Sequence, residues 1–168
     1  GNQGAGSMGD IVLITFYILM MVTFFVIKKN MHLFDMIFCW LTSLFLDDVY
    51  FMIVTLNYEL ILPSPHLWEM LLRLVFQHVI TPMIVVLAMV MWVTQRGWIL
   101  RIGSMFFYSL LLMAIKMFLH YLGVVQYASM WKLGWSYLES LLLIICTGLT
   151  LLIFRAIMRK DGISYESS

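Results

Sequence analysis

From Leu33 to Leu62 the chain reads LFDMIFCWLTSLFLDDVYFMIVTLNYELIL, apolar and long enough to cross a bilayer, with Asp47 and Asp48 side by side near its middle. At about 1.5 Å of rise per helical residue, Asp47 lies roughly 21 Å from Leu33, close to the bilayer midplane. An ionised aspartate at that depth costs at least about 2.5 kcal/mol. The fold must therefore supply these two carboxylates with partners, water or protons.

The rest of the chain offers the same solvent. Hydrophobic residues are 63% of the 168 and charged residues only 11%, against about a quarter charged in soluble proteins. A soluble domain of this length cannot hide so much apolar surface, so the class is a polytopic membrane protein whose first partner is the lipid bilayer. A formal net charge of +1 leaves no basic patch for nucleic acid. Cys39 and Cys146 lie in apolar stretches without CxxC spacing and read as small buried hydrophobes. The opening GNQGAGS (1–7) reads as an expression-tag scar before Met8, followed by a single bundle domain (8–160) and a polar tail (161–168).

Five apolar segments follow in order. The first, Ile11 to Ile27, has its Lys28-Lys29 after the apolar run, where a signal peptide would carry them before it. The second is the Asp-bearing stretch, ended by Pro63-Ser64-Pro65. The third runs from His66 to Gln95, with Pro82 expected to kink it. The fourth is Trp98 to Leu122; Gly123 to Leu133 is a connector, and the fifth spans Gly134 to Ile157. The prediction is an all-α bundle of five transmembrane helices. Sorting the basic residues puts Lys28, Lys29, Arg96, Arg101, Arg155, Arg159 and Lys160 on one side and only Lys132 on the other, with Arg73 and Lys116 within the membrane. That bias places the N-terminus outside and the C-terminus in the cytoplasm. A four-span arrangement, with segment one flat on the surface, would need a polar face that segment one lacks. Trp68, Trp98, Trp131 and Trp135 fall where interfacial anchors belong.

Helical projection at about 100° per residue groups the polar side chains into stripes. Asp47 shares one with Ser43, Tyr50 and Tyr58, while Asp48 points towards the side of Thr55 and Glu59. His66, Glu69, Arg73 and Gln77 make a second, with His78 facing elsewhere; Ser109, Lys116 and His120 make a third; Ser136, Glu139, Cys146 and Thr150 lie on the fifth segment. With the orientation above, these groups gather in the outer half with the aspartates at its floor. Asp47, Asp48, Tyr50, Arg73, Gln77, His78, Lys116, His120 and Glu139 are thus the candidate ligand- or ion-binding residues. Adjacent carboxylates at that depth should not both be ionised, so one is expected to hold a proton. The inner half, with Cys146, Thr147 and Thr150, is expected to be closed and dry.

Several chemistries are weaker readings. A metal held by Asp47, His78, His120 and Glu139 lacks HExxH or paired-His spacing, and no GxSxG or cofactor motif occurs. An isolated pair such as Glu69 with Arg73, four residues on, would only fix helix register. The leading function is binding or translocation of a small polar solute, ion or proton, with a homodimer expected because a monomer of this size has barely enough helices to enclose a pathway. The alternative is a structural or signalling subunit whose charges dock a partner's transmembrane helices; a membrane-embedded enzyme comes third.

A mid-membrane Asp (Asp47 or Asp48), a Pro-containing loop, Arg73, FQHVITP at Phe76 to Pro82, Gln95, and a last segment with Trp131, Gly134-Trp135-Ser136 and Arg155 to Lys160 form a further pattern. In these the chain resembles small uncharacterised multi-pass membrane proteins of spore-forming Gram-positive bacteria, over roughly Leu33 to Lys160. Such proteins often carry a carboxylate where Gln77 or His78 stands here. The resemblance implies a bacterial plasma-membrane setting and no settled activity.

Overall fold

The computed structural model describes residues 3–27, 29–128 and 132–161, with side chains from Met8 onward. Lys28, Trp131 and residues 162–168 of the polar tail lie outside the described residues. Five described helices are long and apolar enough to cross a membrane: Met8–Val26, Leu33–Asn57, Leu67–Thr94, Trp98–Tyr121 and Leu133–Lys160. In chain order they fall on α1 (Gln3–Val26), α2 (Leu33–Met52), α3 (Leu67–Val75) and α4 (Thr81–Thr94) as two halves of one span, α5 (Trp98–Tyr121) and α6 (Leu133–Lys160).

The third span is the axis. Its apolar stretch is 72% buried, against 11% for the first span and 22% for the other three. α4 packs against α2, α5 and α6 and also touches α1. Every residue from Ile80 to Val90 is buried, and the run ITPMIVVLAMV has no polar face, as a helix surrounded on all sides requires. The outer helices reverse soluble amphipathicity. α2 turns Asp35, Cys39, Ser43 and Asp47, spaced every fourth residue, into the bundle and leaves Leu41, Phe45 and Val49 outside. α1 is tied on by Tyr17, whose hydroxyl donates to the Leu72 carbonyl at 3.3 Å, and by Trp68, whose indole N–H donates to Asp10 at 3.0 Å. Trp68, Trp98 and Trp135 are exposed at the bundle surface.

At Pro82 the helix changes its hydrogen-bonding pattern. The proline has no N–H for the His78 carbonyl, and its ring would crowd that oxygen. The helix widens into a π-helical turn at Phe76–Ile80, where the Thr81 N–H reaches back to the Phe76 carbonyl. This turn resets which way Gln77 and His78 point.

The all-α expectation holds, and what changes is the extent of the second segment. The second segment does not remain helical to Leu62. It passes through a π-helical turn at Ile53–Asn57, and Glu59 takes the left-handed conformation with φ 50°. Ile61–Pro63 then forms strand β1, antiparallel to β2 (Val125–Tyr127) in the segment read as a connector. Residues preceding prolines are pushed towards extended backbone, which favours a strand before Pro63-Ser64-Pro65. Gly123, at φ 77°, turns the chain out of α5 into β2. The register pairs Ile61 with Tyr127, Leu62 with Gln126 and Pro63 with Val125. Flanking bonds from Ser64 N–H to the Val124 carbonyl (3.1 Å) and from Ala128 N–H to the Leu60 carbonyl (2.8 Å) complete the ribbon. Ile61 and Val125 are buried while Leu62 and Gln126 are exposed, so the ribbon caps one end of the bundle with one face turned inward.

Candidate functional site

Beneath this ribbon lies a cavity of about 60 Å³. α2 supplies Asp47, Tyr50 and, just before the π-helical turn, Phe51; α3 and its π-helical turn supply Arg73, Phe76 and Gln77. Lys116 and Leu119 come from α5, Ser136 and Glu139 from α6, and Ile61, Val125 and Tyr127 from the ribbon.

Two polar networks shape it. On one wall Lys116 forms an ion pair with Glu139 and donates to Ser140 Oγ at 3.3 Å; Ser140 in turn donates to the Ser136 carbonyl at 2.9 Å. Both charged side chains are nearly buried, so the pair joins α5 to α6. On the opposite wall Arg73 Nη1 donates to Gln77 Oε1 at 2.7 Å, and Gln77 Nε2 donates to Asp48 Oδ1 at 2.7 Å. The Arg73 guanidinium lies 4.6 Å from the centre of the Phe51 ring. Asp48 also faces His78 Nε2 at 3.4 Å, while His78 Nδ1 lies 3.1 Å from the Leu74 carbonyl. With Nδ1 donating there, a bond from Nε2 to Asp48 needs the doubly protonated ring.

Asp47 differs from all of these. It is 8% exposed, it faces the cavity, and no described residue donates a hydrogen bond to its carboxylate.

Of the residues singled out from sequence, Asp47, Tyr50, Arg73, Gln77, Lys116 and Glu139 therefore meet around one cavity. Asp48 and His78 stand behind that wall and are half-exposed. His120 holds the ribbon instead: its Nδ1 is 2.9 Å from the Val125 carbonyl and its ring packs on Tyr127 at 5.1 Å. Asp47, His78, His120 and Glu139 are not brought together, and no group of three potential metal ligands gathers among the described residues. Arg73 bonds Gln77 rather than Glu69, which borders a separate surface recess with His66 and the Pro63–Pro65 turn. Tyr58 leaves the stripe of Asp47 because the π-helical turn at Ile53–Asn57 breaks the α-helical projection, and it is exposed.

Three features escaped the sequence reading. Tyr127 reaches the cavity from β2; burial pushes its hydroxyl up to about 12, opposed by a side-chain hydrogen bond with Ser136, so it remains a neutral phenol. Gly123 and the three-residue alternation Val125-Gln126-Tyr127 are the only marks of β2 in the sequence, too short to read as a strand. At the opposite end, Arg155 is not a free charge. Its Nε and Nη2 donate to Asp35 Oδ2 at 2.9 and 2.7 Å, and Asp35 is fully buried. Phe38 and Phe154 stack beside the pair, with centroids 4.3 Å apart and planes at 9°. The half of the bundle away from the ribbon thus holds a buried ion pair in addition to the buried Thr147. Cys39 is buried as expected, but Cys146 is exposed and borders an apolar groove between α2 and α6.

Fold and site together define a bundle of five helices long and apolar enough to cross a membrane, with a small polar cavity under a β-ribbon cap. No family model matches the chain significantly, and neither does any curated protein or solved structure.

Proposed function

We propose that this chain is an integral protein of a bacterial plasma membrane, N-terminus outside and C-terminus cytoplasmic, whose outward cavity binds or translocates a small polar solute, ion or proton. Asp47 carries the reading. A buried carboxylate without donors is costly, and the nearby cations are engaged elsewhere, Lys116 by Glu139 and Arg73 by Gln77. Charges that only fixed helix register would be saturated by the protein itself, as Asp35 is by Arg155. The test is thermal unfolding of wild type and Asp47→Asn in detergent, from mildly acidic to mildly alkaline pH, with and without monovalent and divalent cations. Asp47→Asn is expected to keep the basal stability and lose the dependence on pH or cation. Identical responses in both proteins would overturn the reading at Asp47.

A second reading is a structural or signalling subunit docked to a partner's transmembrane helices or to a second copy of itself. It is favoured by the Asp48–His78 pair, whose side chains are 44% and 42% exposed on helices long enough to span the membrane. Native mass measurement in mild detergent separates the two: a defined partner subunit supports docking, and a bare monomer with a cation response supports the cavity.

A further inference from the structure

Resting on that reading of the cavity, we infer that Asp47 takes up an exchangeable proton from the aqueous phase, with water as the only other occupant. Access sets the first condition. The side-chain atoms that are sealed from water and lack a partner among the described residues are Thr55 Oγ1, Arg73 Nε and Thr81 Oγ1. The Asp47 carboxylate is not among them, although no described residue donates to it, so its oxygens open on the cavity that Asp47 lines.

Charge sets the second. Lys116 is held by Glu139 on one wall, and Arg73 is linked through Gln77 to Asp48 on the other. Each wall carries one positive and one negative group, and Asp47 is the negative charge left over. Tyr50 and Tyr127 add hydroxyls to the lining, and α4 adds no titratable side chain. His78 stands behind the Arg73 wall, half-exposed and against Asp48. A single proton on Asp47 therefore makes the cluster neutral and removes the cost of a buried carboxylate without donors.

Space and ligands set the third. About 60 Å³ equals the liquid share of roughly two waters, at about 30 Å³ each. That is too little for an ion with its hydration shell or for an organic solute of several heavy atoms. A cation stripped of its shell wants about six oxygens in its place, as calcium and magnesium do. No group of three potential metal ligands gathers among the described residues. Of the oxygens at hand, Glu139 is held by Lys116 and Gln77 Oε1 by Arg73. Two waters suffice for a carboxyl group, whose O–H donates to one while its carbonyl accepts from the other. The step forms one O–H bond on an Asp47 oxygen, and a hydronium ion of the aqueous phase gives up the proton and becomes water.

The test is infrared difference spectroscopy of the purified full chain in detergent, stepped from mildly acidic to mildly alkaline pH. Sodium, potassium, calcium and methylammonium chlorides serve as competitors. Wild type is expected to show the C=O stretch of a protonated carboxyl, fading as pH rises and shifting in heavy water. The band should be lost in Asp47→Asn and kept in Asp48→Asn and His78→Phe. Asp47→Glu should keep a band at a changed frequency, so the assignment can be made even where Asp47→Asn fails to fold. A cation competing for the same carboxylate would lower the midpoint by about one pH unit for each tenfold rise in its concentration, and no such shift is expected. If a competitor does shift the midpoint, the occupant is that cation: the proton falls and the Asp47 site stands. A band that never titrates, or one lost in Asp48→Asn instead of Asp47→Asn, also overturns the proposal. If wild type shows no band at any pH, the proton falls. The site falls with it when no competitor raises the thermal stability of wild type above that of Asp47→Asn.

Discussion

Asp35 and Asp47 lie on the same buried stripe of α2, on the same helix, and have opposite surroundings. Asp35 is fully buried and takes two N–H bonds from Arg155. Asp47 is nearly as buried, takes none from the described residues, and faces a cavity. Helix periodicity explains why both point inward, and it says nothing about why one is answered and the other is not. The difference comes from the opposing helix. α6 brings an arginine to the level of Asp35, whereas at the level of Asp47 the cations of α3 and α5 turn to Gln77 and Glu139. The two ends are also closed differently. Stacked Phe38 and Phe154 flank the Asp35 pair, while the Asp47 end is covered by a two-stranded ribbon whose anchors are backbone bonds and His120.

The largest effect should come from breaking the closed end. Arg155→Leu leaves Asp35 buried and unanswered, a change expected to cost about 3–5 kcal/mol. Denaturant or thermal unfolding in detergent measures it, and Asp35→Leu combined with Arg155→Leu should restore most of the loss. A cost near zero for the single change would mean that water reaches Asp35, and the contrast with Asp47 would dissolve.

Next in size is the wall between α5 and α6. Lys116→Met should cost about 2–3 kcal/mol, less than Arg155→Leu because the cavity lets water reach Glu139. A double-mutant cycle of Lys116→Met with Glu139→Gln should show coupling of roughly 0.5–3 kcal/mol. The cycle of Arg73→Leu with Glu139→Gln should be close to additive, because Arg73 bonds Gln77. Coupling in the second cycle and additivity in the first would exchange the two walls and return Arg73 to Glu139.

These outcomes also mark what could be read without coordinates. The five spans were legible because long apolar runs bounded by basic residues and prolines leave few alternatives in a bilayer. The cavity residues were legible for the same reason in reverse, since Asp47, Arg73, Lys116 and Glu139 stand out against hydrocarbon. Their pairing was not. A helical wheel gives the face of a residue but not the rotation of its neighbour, and two π-helical turns shift the wheel where Gln77, His78 and Tyr58 sit. The ribbon was hidden because three-residue strands carry almost no periodic signal and pair across a long separation in sequence. Asp35 was hidden because a carboxylate in the first turn of a span reads as interfacial.

The smallest expected effect on stability sharpens the comparison from outside the bundle. Asp48 and His78 meet at 3.4 Å with nearly half of each side chain exposed. An ion pair so open is worth about 0–1 kcal/mol, so His78→Phe should change the unfolding of the detergent-solubilised protein by no more than that. Its informative readout is mass rather than stability. In a membrane the same exposed pair faces either water, lipid or another helix, and only the last makes it a contact. If His78→Phe leaves unfolding unchanged but dissolves a dimer or hetero-complex seen with wild type by native mass measurement, the outer face of α2 and the π-helical turn is a docking surface, separate from the cavity. If the assembly state and the unfolding are both unchanged, the pair serves only to complete the Arg73–Gln77–Asp48 wall. Function then rests with Asp47, the carboxylate that α6 does not answer.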